Sequence, residues 1–448
     1  MDIAISRGTF ARKIGNDALF SNPRSGANMV INEGGVLHDV LSRQFTPENR
    51  ILAEMASLYG VPFEVVKNDF TDIINDMIEE GLVSSCAMEQ KEEVPKKSRV
   101  TCANKDVGSF KDDPVGIFYR GHGMPLALHI DVTSNCTERC VHCYLPDYAA
   151  RYLSFDYIEK TLVDFRELQG LTVYISGGEC MTHPDFDRIL KKCRELDLNI
   201  VILSNLTLCN DEKVKFLQSI EPQYVNVSLY SMDSKEHDAI TTMHGSWEKT
   251  MAAILTLEKA GIAVRIASPL LRINRKAFPG LKDFADQHNI HLIPDFGIIA
   301  RSNHDVSNLR YACSAVELEE TLRTNKQLFD MGWSRVCRDD INATLCDIGV
   351  FRIHLNSNGD YYPCPSMYGY VLGNVKNTSL KDVWFGEKLQ YLRAIRLKDL
   401  KQCAACLHKN FCEPCLAYNF NATGDMFKTI PERCQTAAIV HNVYGERV

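Results

Sequence analysis

The chain has 448 residues, a formal net charge of −7 at pH 7 and 45% hydrophobic residues. This length allows two or three domains, each with its own apolar core. The mildly acidic balance and the lack of a long basic run argue against nucleic acid or an anionic membrane as a partner. No stretch approaches the ~18 apolar residues of a spanning helix, and the first residues lack a secretory-signal layout. We therefore expect a cytoplasmic protein without a membrane partner.

Seventeen cysteines are present, an odd number that argues against a fully paired disulfide framework. Their distribution is uneven, with three between positions 136 and 143 and seven between 346 and 434. In a reducing compartment, clustered cysteines more often bind metals or do chemistry than form disulfides. Metal binding is therefore the first hypothesis for both groups.

The first region, residues 1–88, combines short strands with amphipathic helices. Strands are predicted at 18–20 and 29–31, on either side of a turn. A first helix is predicted at about 35–43. A second helix begins after Thr46, the expected N-cap, with Pro47 at its first position. A third helix is predicted at about 64–80, and a last short strand follows at 82–83. This order is typical of a winged-helix-like unit, and a plain helical cap is the alternative. The charged residues 89–114 are predicted to be a linker.

The most informative stretch is a loop that follows the apolar run 126–132. It carries Cys136, Cys140 and Cys143, separated by three and then two residues. Four-iron clusters are normally held by four thiolates, so three local cysteines leave one iron open for another ligand. A structural zinc ion is the alternative, but it requires a fourth nitrogen or sulfur ligand.

The central region, residues 115–310, alternates strand-like and helix-like segments, which is typical of a parallel α/β sheet. Further strands are predicted at 171–175, 200–203, 224–229, 263–266 and 290–294. Polar residues follow the carboxyl ends of several of these strands, where active sites lie in such folds. We therefore expect the functional site at that edge of the sheet.

The cysteine loop resembles the signature of radical S-adenosylmethionine (SAM) enzymes, in which SAM chelates the open iron. His142 occupies a position that usually holds an aromatic residue, and the turn Ser176, Gly177, Gly178 and Glu179 resembles the glycine-rich motif that meets the SAM amine. Further SAM contacts are implied for Asn205 and Ser228, with strand-end capping as the alternative. Relatives often carry an arginine near 237–242, where this chain has threonines, and Arg265 is the candidate to replace it.

The last region, residues 311–448, resembles the SPASM extension of radical SAM enzymes, which carries two auxiliary four-iron clusters. One cluster is implied at Cys403, Cys406, Cys412 and Cys434, and the other at Cys346, Cys364 and Cys415. Cys337 is a candidate fourth ligand of the second cluster, and Cys313 is a weaker one. The last two clustered cysteines are separated by two residues rather than the usual three. A zinc site at positions 403–415 is the alternative.

The three-part order resembles that of sactipeptide-type peptide maturases. The implied fold is a partial (β/α)6 radical SAM barrel with a winged-helix-like N-terminal domain and a cysteine-rich SPASM extension. The implied cofactors are SAM and three 4Fe-4S clusters, and the implied partners are a precursor peptide with a leader and an electron donor such as flavodoxin or ferredoxin. A 5′-deoxyadenosyl radical would abstract hydrogen from the peptide, and a Cys-to-carbon thioether would follow. Carbon–carbon cross-linking, sulfatase-type oxidation and a non-catalytic iron–sulfur peptide-binding scaffold are the alternatives.

Overall fold

The computed structural model describes residues 2–41, 43–85, 113–145, 148–330, 340–346 and 348–445. The predicted linker lies outside these residues except for its last two positions, and Cys337 lies outside them entirely. The chain divides into two compact units, and the first comprises Met1–Leu126, Arg166–Leu171 and Asp197–Asn199. Among the described residues, no helix is long and apolar enough to cross a membrane.

The described residues of the first unit form two small antiparallel sheets and four helices. One sheet has the order β5-β1-β6 and the other the order β2-β3-β4. The elements in chain order are β1 (Asp2–Ile5), β2 (Phe10–Ile14), β3 (Asp17–Asn22), β4 (Ala27–Ile31), α1 (Gly35–Val40), β5 (Thr46–Pro47), α2 (Glu48–Tyr59), α3 (Phe63–Glu79), β6 (Val83–Ser85) and α4 (Pro114–His122).

One apolar core joins the first three helices to both sheets. Phe20 of β3, Leu37 of α1, Met55 of α2 and Met77 of α3 are fully buried in it. The buried residues of these helices recur with the 3.6-residue helical period, which places them on one face of each helix. The strand pair at positions 18–31 and the helices were predicted correctly, because these segments carry strong local patterns.

The predicted N-cap at Thr46 is wrong. Pro47 is the cap residue of α2, and no side chain caps that helix end. Thr46 and Pro47 instead pair with Ile3 and Asp2 of β1. Thr46 and Pro47 therefore form a short strand beside β1, although the local pattern assigned them to the start of a helix.

The second unit is built on a mostly parallel nine-stranded sheet in the order β12-β11-β10-β9-β8-β7-β13-β14-β15. Parallel pairing holds for β7 with β8 and for β9 through β12. Its strands are β7 (Ala127–Asp131), β8 (Thr172–Ser176), β9 (Asn199–Ser204), β10 (Tyr224–Ser228), β11 (Val264–Pro269), β12 (His291–Asp295), β13 (Arg352–Leu355), β14 (Asp360–Tyr362) and β15 (Gly373–Asn374). This architecture confirms the predicted partial barrel.

Helices follow the strands in the alternation expected of parallel connections. They are α5 (Phe155–Glu167), α6 (Phe186–Glu195), α7 (Asp211–Ile220), α8 (Ser234–Thr241), α9 (Ser246–Lys259), α10 (Phe278–Gln287) and α11 (Ala315–Thr324). The C-terminal part adds short helices around the cysteines: α12 (Leu380–Phe385), α13 (Glu387–Ala394), α14 (Lys401–Ala404), α15 (Leu416–Thr423) and α16 (Pro431–Tyr444).

Candidate functional site

The candidate site lies where four neighbouring strands of the large sheet end. The cysteine loop follows β7, and Ser176 is the last residue of β8. Asn205 comes directly after β9, and Ser228 is the last residue of β10. The structure therefore gathers these sequence-predicted positions at one edge of the sheet, as the rule for parallel sheets anticipates.

The glycine-rich turn is in direct backbone contact with the residues that lead into the cysteine loop. Gly178 donates its N–H to Thr133 O over 2.8 Å, and the Glu179 N–H donates to Asn135 O over 2.8 Å. A Cβ atom on Gly178 would lie 2.4 Å from Asn135 O, and one on Gly177 would lie 2.4 Å from Thr133 O. Only glycine permits this approach, so the turn positions the first cysteine.

Glu179 is fully buried, and its carboxylate connects the turn to the end of β9. It accepts hydrogen bonds from Ser204 Oγ at 2.9 and 3.0 Å, from the Asn205 N–H at 2.8 Å and from the Met181 N–H at 3.0 Å. Burial raises the pKa of this carboxyl group. Because protein donors bond to both oxygens of this carboxylate, Glu179 connects the turn after β8 to the end of β9 and holds these two strand ends together.

The cysteine loop is anchored to α8 through two backbone hydrogen bonds. The N–H of Arg139 donates to Thr241 O and that of Val141 to Ile240 O, both over 2.9 Å. Thr242 Oγ1 adds a bond to Arg139 O over 2.9 Å. The carboxyl end of α8 therefore holds the loop in place through its backbone, and Thr242 does so through its side chain.

The thiols are partly or largely withdrawn from water, and burial raises the pKa of each of them, to about 12 for Cys136. Asn205 Nδ2 lies 3.8 Å from Cys136 Sγ, and Tyr230 Oη lies 3.8 Å from Cys140 Sγ. Thiolates in such surroundings require a compensating positive charge, which iron ions supply when bound. This donor set fits an iron–sulfur cluster.

His142 is partly buried in the loop and contacts Tyr230 edge to face, with ring centroids 5.2 Å apart. Burial lowers the pKa of His142 to about 4, so the ring is neutral near pH 7. A neutral, packed imidazole suits the position at which relatives place an aromatic ring.

Arg265 is the predicted site residue that the structure does not bring to this edge. It is the second residue of β11, near the amino end of that strand, and its guanidinium lies 3.9 Å from the centre of the Tyr224 ring. Tyr224 is the first residue of β10. A SAM contact by Arg265 stays a prediction without support from its position.

Glu138 is a site residue that the sequence analysis missed. Its side chain is buried, and its Oε2 accepts from Cys140 Sγ over 3.3 Å. Burial raises the pKa of Glu138 to about 7. The sequence carried no signal for this position, since acidic residues are common in solvated loops and the burial of Glu138 depends on tertiary packing.

The C-terminal cysteines form two groups. The pKa of Cys403 is raised to about 11 by burial and by the nearby Cys412, Cys434 and Cys406 thiols. The pKa of Cys364 is raised to about 12 by burial and by Cys415.

Cys346 lines a small cavity with Leu416, the residue that follows Cys415. Cys313 packs against an apolar cluster that includes Leu318 and Val440. The assignment of these thiols to two auxiliary clusters stays a prediction.

Comparison with known families supports both parts of this site. Residues 130–285 match the radical SAM superfamily model, and residues 346–407 match the SPASM model, described as an iron–sulfur cluster-binding domain. Both matches fall within the regions for which the sequence analysis predicted these domains. The first match contains the cysteine loop, and the second contains Cys346, Cys364, Cys403 and Cys406.

Curated relatives include enzymes with different substrates. An AdoMet-dependent heme synthase of Methanosarcina barkeri is 24% identical over 68% of this chain and 95% of its own. The antilisterial bacteriocin subtilosin biosynthesis protein AlbA of Bacillus subtilis is 25% identical over 67% of this chain and 69% of its own.

A solved structure with the same fold is that of Streptococcus suis SuiB bound to S-adenosylmethionine. It covers 96% of this chain and 100% of its own, with a TM-score of 0.62 and 18% identity. SuiB has also been solved bound to the precursor peptide SuiA, with a TM-score of 0.61 against this chain.

Proposed function

We propose that this chain, an enzyme of the radical SAM family that binds SAM and iron–sulfur clusters, modifies a ribosomally made precursor peptide. The observation that carries the proposal is the joint presence of a SAM-type site and a folded N-terminal unit. SuiB matches 96% of the chain, so the match includes most of that unit. The heme synthase and AlbA matches each leave about a third of the chain uncovered and do not discriminate, whereas SuiB has been solved bound to a precursor peptide. The N-terminal unit therefore favours a peptide over a porphyrin.

The proposal assigns three four-iron clusters to the cysteines. Cys136, Cys140 and Cys143 would hold the SAM-binding cluster, and the two C-terminal groups would hold the auxiliary clusters. When bound, the reduced cluster and SAM supply a 5′-deoxyadenosyl radical that removes a hydrogen atom from a substrate carbon. The chain's contribution is geometric, because Gly177 and Gly178 admit the loop and Glu179 holds the strand ends that surround it.

The product that we favour is a thioether between a cysteine sulfur and a carbon of another peptide residue. Forming that bond removes the hydrogen of the S–H and the hydrogen of the C–H, with two electrons in total. One electron leaves with the abstracted hydrogen atom, and the second requires an acceptor, for which an iron–sulfur cluster of the SPASM domain is suited. A carbon–carbon cross-link has the same balance and is the nearest alternative.

The N-terminal unit would bind the leader of the peptide. Within the part of the chain that the structure describes, β4 pairs with β3 on one side only, so its other edge can accept an added strand. Tyr59 donates to the Glu33 carbonyl, two residues after β4, and neighbouring apolar side chains are exposed, Leu58 by 58% and Val65 by 46%. An edge strand beside exposed apolar side chains suits a peptide ligand.

The product is tested by co-expressing the enzyme with a short cysteine-rich peptide, sought among the reading frames beside its gene. We expect the peptide to lose the mass of two hydrogen atoms for each cross-link formed. Fragmentation locates the bond, and alkylation shows whether the cysteine thiol has been consumed. An intact thiol with the same mass loss would replace the thioether with a carbon–carbon bond, and an unmodified peptide would contradict the proposal.

The role of the N-terminal unit is tested separately by measuring binding of a labelled leader peptide to the full chain. We expect Leu58→Glu/Val65→Glu to weaken binding by about 10-fold or more, because charge replaces apolar contacts at the peptide surface. Val316→Glu is the matched control, since Val316 is 78% exposed on α11. Equal affinity of the double variant and the wild type would exclude this surface.

A further inference from the structure

Three buried side chains that belong to neither cysteine group converge on the large sheet. His129 and Asp131 lie two residues apart on β7, so their side chains share one face of the sheet. His354 of β13 pairs with His129 in the parallel register of β7 and β13, which puts its side chain on that same face. The exposed fractions are 8%, 3% and 0% for His129, Asp131 and His354.

The ligand-type atoms of these residues lie within 4.8 Å of one another. His129 Nε2 is 3.4 Å from Asp131 Oδ1, and His354 Nε2 is 3.0 Å from Asp131 Oδ2. Among the described residues, however, His129 Nε2, Asp131 Oδ1 and both ring nitrogens of His354 have no hydrogen-bond partner. The imidazoles are close to the carboxylate without being aligned to donate to it.

This combination matches ligands that share a cation better than a hydrogen-bonded triad. Donor atoms at about 2.0–2.1 Å from one metal ion are separated by about 2.8–3.4 Å in octahedral or tetrahedral geometry. Buried polar atoms in native proteins are otherwise nearly always paired. A cation between the three side chains would coordinate three of these four unpaired atoms, namely His129 Nε2, Asp131 Oδ1 and His354 Nε2. Only Nδ1 of His354 would remain unpaired.

The surroundings supply the support that metal ligands usually have. Tyr368 Oη donates to Asp131 Oδ2, which fixes the orientation of the carboxylate. The His129 ring stacks with Tyr174 at 6.0 Å, and the His354 ring packs against Tyr368 at 5.2 Å and Tyr362 at 5.8 Å. These rings restrict the imidazoles to the observed orientations.

We propose that His129, Asp131 and His354 form a binding site for a divalent first-row transition metal ion, such as Zn²⁺ or Fe²⁺. Two imidazole nitrogens and one carboxylate oxygen suit these ions better than Mg²⁺ or Ca²⁺, which prefer oxygen ligands. Three protein ligands leave at least one coordination position for water or a substrate donor, as in catalytic zinc sites. The proposed site uses no cysteine ligand and does not depend on the identity of the substrate.

The test uses full-length protein whose iron–sulfur clusters have been reconstituted, so that the cysteines are occupied before Zn²⁺ is added. We expect the wild type to retain one zinc per chain after dialysis, with unchanged iron content. X-ray absorption at the zinc edge should show nitrogen and oxygen ligands. His129→Gln and His354→Gln should each weaken zinc binding by about 10-fold or more, and Tyr368→Phe should weaken it by about 10-fold.

His183→Gln is the matched control, because His183 is a buried histidine whose ring contacts Leu153 O. It should bind zinc like the wild type. Zinc should also raise the thermal unfolding temperature of the wild type but not that of His129→Gln/His354→Gln. The proposal is overturned if cluster-loaded wild type retains no zinc, if the double variant retains it equally, or if the zinc has sulfur ligands.

Discussion

Replacing Cys136, Cys140 and Cys143 together with alanine is expected to lower the iron content from about twelve to about eight per chain. The same variant should lose SAM cleavage entirely, because the open iron that SAM chelates would no longer exist. The measurements are iron and sulfide analysis after anaerobic reconstitution and the formation of 5′-deoxyadenosine. This is the largest effect we expect on activity, since no other described group of cysteines lies at the glycine-rich turn.

The control for this variant is Cys193→Ala. Cys193 is a fully buried thiol on α6, away from both cysteine groups, where it acts as a small apolar side chain. It should keep the wild-type iron content and cleavage rate. About four irons in the wild type, all lost in the triple variant, would remove the auxiliary clusters from the proposal. Zinc with little iron would contradict the assignment of every cluster.

Replacing Gly178 with alanine is expected to lower the rate of SAM cleavage by about 100-fold, because the new Cβ displaces the residues before Cys136. That Cβ would lie 2.4 Å from Asn135 O and 2.8 Å from Ser134 O. Both atoms are backbone and cannot rotate away, so the loop itself has to move. The same overpacking should lower the free energy of unfolding by about 1–3 kcal/mol, measured by urea denaturation.

Gly261→Ala separates this effect from ordinary glycine replacement. Gly261 has a φ of +74°, yet a Cβ there would meet no atom within 4 Å. It should cost about 1 kcal/mol of backbone strain and leave SAM cleavage unchanged. A Gly178→Ala enzyme that cleaves SAM at the wild-type rate would show that the turn does not position the cysteine loop.

Local sequence patterns were sufficient for most of the fold. Strands β7–β12 of the large sheet were predicted within a few residues, because buried strands are apolar runs that end in polar residues, whereas β13–β15 were not predicted. The failures involve contacts between distant segments. Strands β1 and β2 were not predicted, and Thr46 was assigned to a helix end, since nothing in the pattern around Thr46 reveals that β1 pairs with it.

The cysteine loop and the glycine-rich turn were visible in the sequence for a physical reason. Metal ligands supplied by one short loop need a particular spacing, and a turn whose backbone closely approaches another segment needs glycine. Both requirements therefore appear as short motifs in the sequence. Whether Arg265 lies at the SAM site could not be predicted from such local patterns, because this depends on which end of β11 carries the side chain.

The sequence by itself thus determined the chemistry of the thiol sites, whose ligands are local or regularly spaced. Only the tertiary structure decided that His354 meets His129 and Asp131. These residues come together because β13 returns to pair with β7 in a register that aligns His354 with His129. A pairing between strands so far apart along the chain leaves no local pattern, since its register is set by the packing of the whole sheet.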